Sequence, residues 1–119
     1  DIAIFVNSWS IADSNEKDNI IPNEGEIITI PAKKVGIFTS SPKLFKETYS
    51  DYKYIFSVED LAIGNGLGNN ETIILSKNSY NDVFSYTIAD GANANGKTLS
   101  RSCYNCNTWN ETNASPGSL

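Results

Sequence analysis

The chain has 119 residues, 39% of them hydrophobic and 19% charged, with nine Lys and Arg against 14 Asp and Glu, no histidine and a net charge of −5. That length makes one domain with a modest core that needs neither several disulfides nor a structural metal. Basic residues this few, on an acidic chain, exclude the footprint of a nucleic-acid binder and disfavour anionic membrane, and no apolar run approaches the roughly 20 residues of a membrane-spanning helix.

Residues 2–6 (Ile2, Ala3, Ile4, Phe5, Val6) open as a short apolar run, and Trp9 with Ile11 carries an alternating pattern to about Ala12. Residues 13–19 read as a polar, solvated turn. Their acidic spacing fails as a calcium loop because Lys17 takes a ligand position and no glycine marks the sharp bend. Ile20 to Gly25 leads through a bend at Asn23 to Gly25 into the strand Glu26 to Ile30, and Pro22, which cannot donate to a ladder, marks an edge or a turn. Val35 to Thr39 is another short strand. Ser41 followed by Pro42 is a favoured helix start, so a short helix is expected over about residues 42–50 with Leu44, Phe45 and Tyr49 at helical spacing. Tyr52 to Val58 returns to strand. Residues 63–68 are glycine-rich but lack the Lys-Ser/Thr of a nucleotide loop and precede a strand, so they read as a permissive connection.

The central feature is a hairpin. In residues 72–76, Ile73 and Leu75 oppose Thr72, Ile74 and Ser76; in residues 82–90, Phe84, Tyr86 and Ile88 oppose Val83, Ser85 and Thr87. This period of two is that of half-buried strands. Residues 77–81 supply the turn, which reads as longer than the tightest type. Gly91 to Gly96 is a flexible turn, Lys97 to Arg101 a last strand, and the tail beyond it reads as irregular. Short strands with frequent turn signals and one helix argue a single antiparallel β-sandwich domain over residues 1–119.

Without histidine the usual neutral-pH base and the commonest metal ligand are missing. Cys103 and Cys106 read first as a short-loop disulfide, with free thiols or a metal or redox role as alternatives. Trp9 and Trp109 read as core residues rather than a sugar-stacking platform. Glu59 and Asp60 are adjacent, so on a strand they face apart and form no acid–base pair. Asn70, Asn110 and Asn113 each head an N-glycosylation triplet. With a start at Asp1, which fits either a cleaved signal segment or a sequence cut from a longer chain, they point to an extracellular or cell-surface address.

Several pieces in order resemble the lamin tail domain, an immunoglobulin-like β-sandwich found in nuclear lamins and in secreted bacterial and archaeal proteins. Residues 7–13 around Trp9 resemble its tryptophan strand, residues 21–26 its turn into an apolar strand, and the helix with Phe45 falls in place. Residues 67–75 and 81–86 resemble its core hairpin, and residues 98–101 with 109–117 its ending. The two strands that open the family are not both found before Trp9. The resemblance therefore implies one or two missing N-terminal strands and an open sheet edge, unless the opening run is itself such a strand. An open edge invites pairing with another chain, and Ile2, Ile4, Phe5 and Val6 form the candidate segment for exchange.

The expectation is an all-β, immunoglobulin-like antiparallel sandwich that is not an enzyme and uses no cofactor or metal. It would serve as a structural or adhesion module that associates with itself or with other protein chains at a sheet edge, with glycans at the three asparagines. The alternative is an accessory binding domain of a larger secreted enzyme such as a nuclease.

Overall fold

A computed structural model describes residues 3–22, 28–91, 93 and 95–116. In chain order the elements are β1 (Ile4–Phe5), β2 (Ser10–Ala12), β3 (Lys17–Pro22), β4 (Thr29–Ile30), β5 (Ile37–Thr39), α1 (Pro42–Thr48), β6 (Ile55–Val58), β7 (Glu71–Lys77), β8 (Tyr80–Tyr86), a 3-10 turn (Ile88–Asp90), β9 (Thr98–Arg101) and β10 (Trp109–Thr112). The fold is all-β and sandwich-like, with a single α-helix among the described residues. One layer is a six-stranded sheet in the order β5-β6-β3-β2-β7-β8, and two ribbons, β1–β4 and β9–β10, cover its inner face.

Alternation in the sequence explains which face is inner. Ile11 lies opposite Leu75 and Ile73 opposite Phe84, while Ile20 lies opposite Val58. Directly opposed residues share a face, so these side chains form one apolar row. Val6 and Ile30 from the β1–β4 ribbon close over it, joining Ile11, Ile20, Phe56, Val58 and Ile73 in one buried cluster. At the other end of the sheet, Trp109 of β10 packs on Phe84 and Tyr86 with ring centroids 5.9 and 6.1 Å apart. β6 is buried on both faces: Phe56 is 0% exposed toward the ribbons, and Ile55, on the opposite face, is 2% exposed where α1 lies against the strand. Each such side chain contributes on the order of 1.5–3 kcal/mol by leaving water.

Several expectations are corrected. The sheet is not wholly antiparallel, because β5 runs parallel to β6 with Ile37 beside Ile55. A parallel pair needs a crossover of a dozen or more residues; residues 40–54, which contain α1, provide it. The helix ends at Thr48 and buries none of its residues, and Ser41 makes no side-chain cap; its N–H instead donates to Thr39 Oγ1 at 3.1 Å. The β7–β8 loop is only two residues, since Lys77 pairs with Tyr80, and Asn78 turns the chain at φ 53°. β8 stops at Tyr86, and Ile88 leaves the apolar row for the 3-10 turn, capped by Thr87 and Asp90. The tail is not irregular, because Trp109–Thr112 pairs with β9 along its whole length. Pro22 sits at the end of an interior strand, opposite Phe56, where β2 no longer pairs with β3. The bend at residues 23–25 lies outside the described residues.

The opening run pairs within its own chain. Ile4 and Phe5 pair with Ile30 and Thr29 of their own chain, the Val6 N–H donates to Ile28 O at 2.9 Å, and Val6 is 1% exposed. Val6 thus fills its own core while Ile4 and Phe5 stay exposed, the arrangement in which the opening run is itself a strand of the domain. Ile2, the remaining member of the candidate segment, lies outside the described residues.

Candidate functional site

The turn at residues 13–19 is not a solvated loop. Residues 17–19 belong to β3, whose alternation points Asp18 inward beside Ile20, and both Asp13 and Asp18 are buried. Asp13 closes the β2–β3 turn by accepting the Asn15 and Glu16 N–H groups on Oδ1, each at 2.8 Å, while Oδ2 accepts the Asn65 N–H at 2.9 Å. Asp18 Oδ2 accepts the Gly64 N–H. The glycine-rich connection is thus clamped by two carboxyls more than forty positions earlier in the chain. Gly64 is required there, because it sits at φ +57° and a Cβ would fall onto the Asp13 carboxyl. The N–H groups, chiefly those of Asn15 and Glu16, hold the Asp13 carboxyl below the ordinary carboxylate range against an opposing effect of burial. Carboxyl oxygens of Glu16, Asp18 and Asp60 lie within 4.8 Å of one another. Hard oxygen donors of this kind suit calcium or magnesium, but Asp18 already serves the Gly64 amide.

The two edges of the six-stranded sheet differ. At β8 the edge is capped by side chains: the Ser85 N–H donates to Asn107 Oδ1 at 3.1 Å, and the Trp109 indole N–H donates to Ser85 O at 2.7 Å. At β5 the Ile37 N–H donates to Tyr54 O at 2.8 Å, so the backbone of Phe38, one residue on, faces away from β6. Among the described residues no strand pairs with that outer side. Beside this edge lies a cleft of about 230 Å³ walled by Ile4, Trp9, Ile30, Phe38 and Leu75, with Lys34 among its lining residues.

Cys103 and Cys106 form a disulfide with Cα atoms 5.3 Å apart, inside the connection between β9 and β10. Arg101 Nε donates to Cys106 O at 2.5 Å, and its Nη1 pairs with both oxygens of Asp82 at 3.0 and 2.9 Å, so the hairpin is tied to β8. Tyr104, at the loop's tip, is exposed and shares a hydrogen bond with the Tyr80 hydroxyl at 3.1 Å; that bond, with some burial, raises the Tyr80 pKa. Trp9 meets Tyr80 edge-on at 5.7 Å, and its indole N–H donates to Phe5 O at 2.8 Å. Trp9, Tyr80 and Tyr104 therefore make one contiguous aromatic cluster.

Asn70, Asn110 and Asn113 are all exposed. Asn70 Oδ1 accepts the Ile88 N–H at 3.1 Å, and Asn113 Oδ1 accepts from Lys97 Nζ at 2.5 Å. Glu59 does not act with its neighbour; it accepts the Asn19 N–H and side-chain amide at 3.0 and 3.1 Å. Reasoning from the sequence missed the partnership of Asp13 and Asp18 with Gly64. The readable signal was the alternation of Asp18 with Ile20, which places a carboxyl on the core face. Compared with protein-family models, curated proteins and solved structures, the chain shows no significant match to any of them.

Proposed function

We propose that this chain is a non-catalytic module of the cell exterior, structural or adhesive in task, that works by assembling with further copies of itself or with other protein chains at an open side of its sandwich. The observation that carries this reading is the contrast between the capped β8 edge and the open β5 edge with its apolar cleft. An unpaired strand beside an apolar hollow is a ready template for another chain. The polar constellations serve the fold: Asp13 and Asp18 hold a loop and Arg101 holds a hairpin. The disulfide and the three exposed asparagine triplets support the address, and the ordered resemblance to lamin tail domains supports a task of attachment. The test is sedimentation of the purified chain over a wide concentration range. Growth in mass with concentration is expected, and a monomer at every concentration refutes self-assembly.

The aromatic cluster of Trp9, Tyr80 and Tyr104 favours a second reading, an accessory domain that holds a larger secreted enzyme on its substrate or on cell wall. Retention of the monomer on immobilised polysaccharide, lost in Tyr104→Ala, would support that reading over the first.

A further inference from the structure

The fold sorts charge along the strand direction in a way the linear sequence conceals. Residues 31–54 carry five of the nine cations (Lys33, Lys34, Lys43, Lys46 and Lys53) and only two acids, a local charge of +3, while the remainder of the chain carries −8. The register then places part of each group. Ile20 lies opposite Val58 in an antiparallel pair, so Glu59 and Asp60 leave the sheet at the end where the β2–β3 turn holds Glu16. β5 and β6 start together at the other end, with Ile37 beside Ile55, so Lys33, Lys34 and Lys53 stand there. Lys77 joins them, because β7 ends beyond the Ser10–Ser76 pair. Among the described residues the one ion pair in the chain is Arg101–Asp82, so the named acids and lysines form no ion pairs within the chain, although Lys17, which opens β3, stands among the acids.

Shape follows charge. The cleft of about 230 Å³ opens near the basic end with Lys34 in its lining. At the acidic end, directly after Glu59 and Asp60, Leu61 is 95% exposed, the most exposed large apolar side chain described. We infer that copies of this chain associate head to tail, with Leu61 of one copy entering the cleft of the next while Glu59 and Asp60 meet Lys33 and Lys34 at its rim. This rests on the assembly reading above and names its contact. The partner is a second copy because one molecule carries both halves: an apolar knob directly after two acids and an apolar hollow with Lys34 in its lining. Such a contact uses different surfaces on the two copies, so it propagates into an open filament unless the rotation between copies closes a ring. The charges set orientation and encounter, and the buried leucine supplies the holding energy.

The test is sedimentation equilibrium of the intact chain and of three variants at exposed positions, K34E, D60K and L61S. The wild type should associate, more weakly as salt rises, and each variant alone should associate about tenfold more weakly or worse. The decisive sample is an equal mixture of K34E and D60K. Each is self-repelling, but the acidic end of K34E fits the basic end of D60K, and the two altered ends complement each other, so the mixture should regain association. Circular dichroism of each variant guards against misfolding. Self-association that ignores all three substitutions, or a mixture that stays as weak as its components, overturns the head-to-tail contact while leaving assembly at another surface standing. A wild type that is monomeric throughout overturns both.

Discussion

Replacing Gly64 with alanine tests whether the two buried carboxyls hold the glycine-rich connection in place. Gly64 has φ +57°, and an L-residue there costs on the order of 1 kcal/mol in backbone strain alone. The new Cβ would also fall onto the Asp13 carboxyl, so the loop must move, and moving it withdraws the Gly64 N–H from Asp18, which is 1% exposed. Leaving a buried acceptor without its donor costs about 1–3 kcal/mol. The two effects together come to roughly 3 kcal/mol, or about 10 °C in Tm for a chain of this length. Gly96→Ala is the matched control: its φ is +78° and nothing lies within 4 Å of a Cβ placed there, so only backbone strain of about 1 kcal/mol should appear. Urea and thermal unfolding of both variants give the comparison. Equal losses in the two would refute the clamp, because strain alone would then account for Gly64.

Three further outcomes follow from the same contacts. Asp13 is held below its ordinary pKa, so its stabilisation is complete above the unfolded value and is lost as pH falls from about 4 through the lower folded value; Asp13→Asn should flatten the fall of Tm with acid, and an unchanged slope would remove that assignment. Reduction of Cys103–Cys106 should lower stability by about 2 kcal/mol, because so short a loop restricts the unfolded chain only modestly, and far-UV circular dichroism should keep its strand signature; global unfolding would assign the disulfide a larger role. Trp109→Ala removes the packing on Phe84 and Tyr86 and the bond to Ser85 O, at a cost of about 2–4 kcal/mol for a half-buried indole. Its urea midpoint checks this, and a loss below about 1 kcal/mol would mean the C-terminal ribbon is not part of the core.

The amino-acid order by itself determined the class of the fold and its central hairpin. The period-two alternation of Ile73 and Leu75 against Phe84 and Tyr86 is local, and it remains visible whichever strand lies alongside. It also determined the place of the helix, because Pro42 sets a backbone angle without any tertiary partner. Tertiary structure alone decided the rest. Parallel pairing of β5 with β6 depends on a crossover that only the assembled sheet requires. Trp109–Thr112 has no strong strand pattern and becomes one by lying along β9. The alternation of Asp18 with Ile20 puts a carboxyl on the core face, but its partner, the amide of Gly64, is distant in sequence and adjacent only in space. The separation of Lys33 and Lys34 from Glu59 and Asp60 exists only because strand register converts positions along the chain into opposite ends of a sheet. Alternation is carried by neighbouring residues and survives in a string of letters; pairing between distant segments is an energy of the folded state and does not.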